Sequence, residues 1–157
     1  MTRPLLIVYA TLAASPVLAQ LPVEAHPDQL ALLASPDPKL AANKKLAFDF
    51  WREVVEAHHI ERAAEFLTED FRQHDPTVPT GRAAFERLVA ESPPRAVKPT
   101  VDDLVAIVAE GDLVVLSFRR ELPDLGNEGQ SYTTTWFEML RIEDGKIAER
   151  WDHGTKE

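Results

Sequence analysis

Near the C-terminal end, Arg150, Asp152 and His153 place three ionisable side chains within four residues of a segment that otherwise reads as a β-strand. A general base for a carbon acid needs a carboxylate or imidazole with a pKa near the working pH, in a dry pocket and within hydrogen-bond reach of the proton. Asp152 is the first candidate, and His74, in Gln73-His74-Asp75-Pro76, is the second. Strand alternation puts Ala148, Arg150 and Asp152 on one face and Ile147, Glu149 and Trp151 on the other. An arginine beside Asp152 holds that carboxylate ionised and lowers its pKa, which weakens it as a base. Each residue also has a plain structural reading, Asp152 in a strand-end ion pair with Arg150 or Arg119, and His74 bonded to loop backbone. Arg119 and Arg120 close another strand, so one of them must point inward. An inward guanidinium suits an anionic or enolate-like ligand. Trp136 and Trp151 fit a core, a ligand pocket or a subunit interface, whereas Trp51 belongs to a helical core stripe and its ring can also line a cavity floor.

Other chemistries lack their residues. The chain has no cysteine, no glycine-rich phosphate loop, no His-Glu-x-x-His and no Gly-x-Ser-x-Gly. His26, His74 and His153 are too scattered to argue a metal site, so none is expected. The net charge of −9, with no basic stripe, argues against nucleic acid as a partner.

The elements that must position these groups follow from periodicity. Asp37-Pro38 opens a helix that the apolar stripe Ala47, Phe50, Trp51, Val54 and Val55 carries to about Ala57. A short helix spans Ile60 to Leu67, an irregular segment Thr68 to Thr80, and a third helix, capped by Thr80, runs from Gly81 to about Glu91. After Ser92-Pro93-Pro94 the period changes to two. Strands are expected over Val101–Val108, Leu113–Leu122, Tyr132–Ile142 and Ile147–His153, with turns at Glu110-Gly111-Asp112 and Glu143-Asp144-Gly145-Lys146. Helices followed by an antiparallel meander predict an α+β architecture: a curved sheet with three helices on its concave face, enclosing a space for a small molecule.

The 157 residues are long enough for one domain, which the boundaries place at 37–157. Residues 20–36 form a proline-rich arm. Residues 1–19 have the order of a secretory signal, with Arg3, an apolar run from Pro4 to Ala14, and small residues before a cut after Ala19. The run is short for a membrane span, so the mature protein is expected to be exported, periplasmic or secreted, and free of the membrane.

Gln73-His74-Asp75-Pro76 followed by Gly81-Arg82, and the ending Asp144-Gly145-Lys146-Ile147 with Trp151-Asp152, resemble the SnoaL-like polyketide cyclases of the NTF2-like superfamily. The resemblance covers Asp37 to His153. It implies a cone-shaped α+β barrel, usually a homodimer through the open sheet, and no metal or organic cofactor. It also implies a carboxylate base at Asp152, with His74 as acid or orienter. Arg150 stands where the family often has histidine, and Asp75 where it usually has asparagine. Two functions follow as expectations: a cyclase, lyase or isomerase, or a module of the same fold that only binds a small hydrophobic or carboxylated molecule.

Overall fold

The computed structural model describes residues 20–154; the expected signal segment lies outside the described residues. The Asp37 carboxylate accepts the Lys39 N–H at 2.8 Å and opens α1 (Pro38–Phe50), with Pro38 in the first turn, where its missing N–H costs nothing. The helix continues into a π turn, Trp51–Glu56, in which the Ala57 N–H reaches back to the Arg52 carbonyl at 3.2 Å. A 3₁₀ turn (Ile60–Arg62) and α2 (Ala63–Phe66) fill the position of the expected second helix.

The segment expected to be irregular begins instead with a strand, β1 (Leu67–Gln73). α3 (Arg82–Val89) has Gly81 at its N-cap, with φ +102°. Thr80, expected to cap it, accepts the Gln73 N–H through its hydroxyl at 3.0 Å. Then follow β2 (Leu104–Glu110), β3 (Leu113–Pro123), β4 (Ser131–Glu143) and β5 (Lys146–Trp151). Asp144 and Gly145, both at positive φ, make the two-residue turn between the last two strands.

The curved, unclosed sheet has five strands in the order β1-β5-β4-β3-β2, antiparallel except that β1 lies parallel to β5. The architecture is α+β, as expected, with β1 an addition. Its helix-covered face holds the core: Phe50, Val54, Phe71, Phe85, Leu104, Leu116, Phe118, Leu140 and Ile147. The opposite face is bare, and Val108 and Phe137 are more than half exposed there. The arm is tied down. Val23 N–H bonds the Thr133 hydroxyl at 2.7 Å, His26 N–H the Leu104 carbonyl at 2.7 Å, and the buried Gln29 amide exchanges two 2.8 Å bonds with Val101.

Candidate functional site

β5 does not alternate simply. Ile142 pairs with Ile147 and Arg141 with Glu149, so one residue, Ala148, is extra on the β5 side. Ile147 therefore joins the core, contrary to strict alternation, while beyond the bulge Arg150 and Asp152 face the helices and Glu149 and Trp151 face outward.

Arg150 is the hub of the covered face. Its guanidinium donates to both Glu138 oxygens, at 2.6 and 2.8 Å, and lies 3.1 Å from Asp152 Oδ2. It sits over the Trp51 ring at 5.9 Å. The Glu138 side chain is 0% exposed, Asp152 6% and Arg150 15%. Asp152 Oδ1 accepts the Gly154 N–H at 2.9 Å. A third carboxylate, Asp75, lies close enough to feel the Arg150 charge. Gly154 leaves room for it, since a Cβ there would lie 2.7 Å from the Asp75 carboxyl carbon.

These environments push the acids apart. Burial raises the Glu138 carboxyl above its ordinary value, and the bonds from Arg150 only partly oppose this. Asp75 is held below the ordinary range by the Thr77 hydroxyl and N–H, at 2.6 and 2.7 Å, and further by the Arg150 charge. One buried guanidinium thus pairs with two carboxylates, Glu138 and Asp152, with the Asp75 charge close by, and burial raises the pKa of the most buried of them.

Trp51, Phe118 and Trp136 stack above the cluster with ring centroids 4.6 to 5.9 Å apart. An open depression of about 310 Å³ runs along the bare-face residues Thr135, Phe137, Met139 and Trp151 to the sheet edge at Asp152 and His153, and another of about 420 Å³ lies against Arg120, Trp136 and His153. Arg120 donates to His153 Nε2 at 3.0 Å across that opening.

The structure brings together Asp152, Arg150, Trp51 and Trp136, and separates the other residues singled out from the sequence. His74 is not beside Asp152. It follows the buried Gln73 by one residue and so faces outward, where its Nε2 lies 2.7 Å from Glu149 Oε1 and its ring stacks on Trp151 at 5.0 Å. Arg72 and Arg141 share Glu149, and the His74 bond, with these charges, keeps that carboxylate below its ordinary range. Arg119 lies on the bare face with Glu121 at 2.6 Å and Asp103 at 3.5 Å. Of the arginine pair, Arg120 is the one on the covered side.

The sequence reading passed over Glu138 and took Asp75 only as a departure from a motif. The signal for Glu138 is present: it occupies the apolar phase of β4, between Trp136 and Leu140, where a carboxylate has no reason to be unless paired. Among the described residues, no group of three or more histidine, aspartate or glutamate side chains is placed to hold a metal.

Residues 49–150 match the model of the SnoaL-like domain family. A SnoaL-like polyketide cyclase assignment from Jannaschia sp. CCS1 superposes with a TM-score of 0.54 at 21% identity, over 76% of this chain and 91% of that one. A polyketide cyclase assignment from Acidithiobacillus ferrooxidans gives 0.53 at 20%, over 76% and 89%. An LEH-like epoxide hydrolase of M. tuberculosis gives 0.52 at 15%, over 74% and 80%. Comparison with curated proteins gives no match. At these identities the superpositions establish the shared NTF2-like fold, and the family model covers well over half of the chain: the protein belongs to the SnoaL-like domain family.

Proposed function

We propose that the protein is a proton-transfer enzyme of the cyclase, lyase or isomerase kind, acting on a small, largely apolar oxygenated molecule. Glu138 is the stored acid, Asp152 with Asp75 the proton acceptor, and Arg150 the group that orients both and neutralises an oxyanion. The observation that carries this reading is the imbalance at Arg150, two carboxylates paired with one buried cation and the Asp75 charge close by. Burying such a cluster costs several kcal/mol per uncompensated ion, which packing alone does not require. Environments that separate the pKa values of neighbouring acids assign one as donor and the other as acceptor. Polyketide cyclase and epoxide hydrolase, the activities assigned to the fold neighbours, both call for such a pair. Ring closure through carbon needs a C–H proton removed, and epoxide opening needs a proton delivered to oxygen.

The test uses a panel of 1,3-dicarbonyl compounds and epoxides in D₂O, followed by NMR for deuterium incorporation and diol formation. The wild type is expected to accelerate at least one reaction, and Asp152→Asn and Glu138→Gln to lower the rate on the order of 10²-fold or more while remaining folded. Unchanged turnover in both variants overturns the assignment. The stack of Trp51, Phe118 and Trp136 over the cluster favours a second reading, a module that binds without turnover. Saturable binding of a panel compound with no wild-type turnover supports that reading.

The bare face also offers an assembly surface. Val108, Val115, Met139 and Trp151 lie in one row across β2 to β5, with Phe137 in the next row. We infer that a second copy covers it, because an apolar row of this kind is normally buried in a partner.

A further inference from the structure

The π turn ends at Glu56, and the chain after α3 returns to meet it. The Arg95 backbone N–H donates to the Ala57 carbonyl at 2.8 Å. Its guanidinium donates to the Glu56 carbonyl at 2.8 Å and lies 3.1 Å from His58 Nε2. His59 Nε2 sits 2.9 Å from the Arg95 carbonyl, and Arg52 donates to the Lys98 carbonyl at 3.2 Å. The Asp102 N–H donates to Glu56 Oε1 at 2.9 Å. These bonds enclose a recess of about 240 Å³, lined chiefly by Arg52, Val55, Glu56, Arg95, Lys98 and Asp102.

Its charges are out of character for a chain of net charge −9. Arg52 is engaged by Asp49 and Glu53, and Lys98 by Asp102 at 2.5 Å. The Arg95 guanidinium bonds a carbonyl and an imidazole, and no carboxylate of the described residues pairs with it. Glu56 Oε2 is buried without a hydrogen-bond partner. Burial pushes this carboxyl up to about 7; the Asp102 N–H and the Lys98 and Arg95 charges pull it down, and the Asp102 charge adds to the rise. Below about pH 7, therefore, the recess presents the Arg95 guanidinium, unpaired with any carboxylate of the described residues, and a carboxylic O–H, beside the Lys98 ammonium that Asp102 holds. A ligand that satisfies them must be small and accept several hydrogen bonds.

We propose that this recess binds a small oxyanion, a carboxylate or a tetrahedral anion, gripped by the Arg95 guanidinium and by the Glu56 carboxyl acting as donor. It is separate from the Arg150 cluster, which Trp51 reaches from the other end of the π turn. Binding draws on protonated Glu56, so affinity falls as pH rises through the Glu56 pKa, by up to about tenfold per pH unit above it. Sodium acetate and sodium sulfate are suitable probes, because neither titrates in this range.

The experiment is isothermal titration of the full chain with each salt at constant ionic strength, from about pH 6 to about pH 8.5. Saturable one-to-one binding of acetate identifies a carboxylate site, and of sulfate a tetrahedral one. In either case affinity should drop at least tenfold across the range, Glu56→Gln should bind without that pH dependence, and Arg95→Met should not bind. Lys98→Gln, at an exposed position, should weaken binding severalfold whether or not Arg95→Met folds. The proposal is overturned if neither salt saturates at the lower pH, if Glu56→Gln keeps the wild-type pH profile, or if Lys98→Gln binds as tightly as wild type.

Discussion

Arg150 holds the interior charges in check, and its removal should be felt in stability before activity is considered. Arg150→Met leaves Glu138 buried without its two bonds, an uncompensated site that costs about 3–5 kcal/mol. Urea unfolding should show this loss, and Arg150→Met combined with Glu138→Gln should recover much of it, since the second change removes the stranded charge. The folded Glu138 keeps its proton to higher pH than the unfolded chain does. Its contribution to stability is therefore full below the ordinary carboxylate pKa and declines as pH rises through the raised value. Glu138→Gln should flatten that decline in thermal melts recorded across the range. His74 belongs to a different chemistry. Its stack on Trp151 and its bond to Glu149 lie on the bare face, so His74→Ala should lower stability by about 1 kcal/mol and leave turnover at the Arg150 cluster intact. A loss of turnover matching that of Asp152→Asn would return His74 to the site. That Arg150 and Asp152 share one strand face was legible in the sequence from alternation, but which face it is depends on the bulge at Ala148. His74 was misplaced because a motif records spacing along the chain, whereas one residue of strand phase decides which side of a sheet a side chain takes.

Among the elements, those with strong local signals stand where periodicity puts them: α1 behind Asp37-Pro38, and the β4–β5 hairpin around Asp144-Gly145. β1 was hidden because Glu69 interrupts its buried side between Leu67 and Phe71, and its partner, β5, is remote in the sequence. The π turn was invisible for a related reason, since the apolar stripe through Trp51 and Val54 tolerates one residue more or less per turn. The bulge at Ala148 likewise leaves no mark in an alternating pattern. The arm carries more than its proline content suggests. Gln29→Ala removes both amide bonds to Val101 and should cost about 2 kcal/mol, measured by chemical unfolding, because two buried backbone groups lose their partners. An unchanged midpoint would mean that the arm detaches without consequence.

At the scale of the whole molecule, the sheet keeps one face for the core and leaves the other apolar along a row from Val108 to Trp151. Phe137→Glu, which places a charge at a half-exposed position in the neighbouring row, should convert a dimer to a monomer in sedimentation experiments and leave the monomer folded. A wild type that sediments as a monomer at every concentration would remove the second copy from the account. The order β1-β5-β4-β3-β2 has one more consequence, for how the chain is made. β1 lies against the last strand, and the Arg72–Glu149 contact spans 77 residues. During synthesis β1 has no strand to hydrogen-bond until β5 has left the ribosome, so cotranslational folding stalls at an open sheet edge. β5 and the residue after it also carry Arg150 and Asp152, so a chain released before β5 lacks both its closing strand and its candidate chemistry.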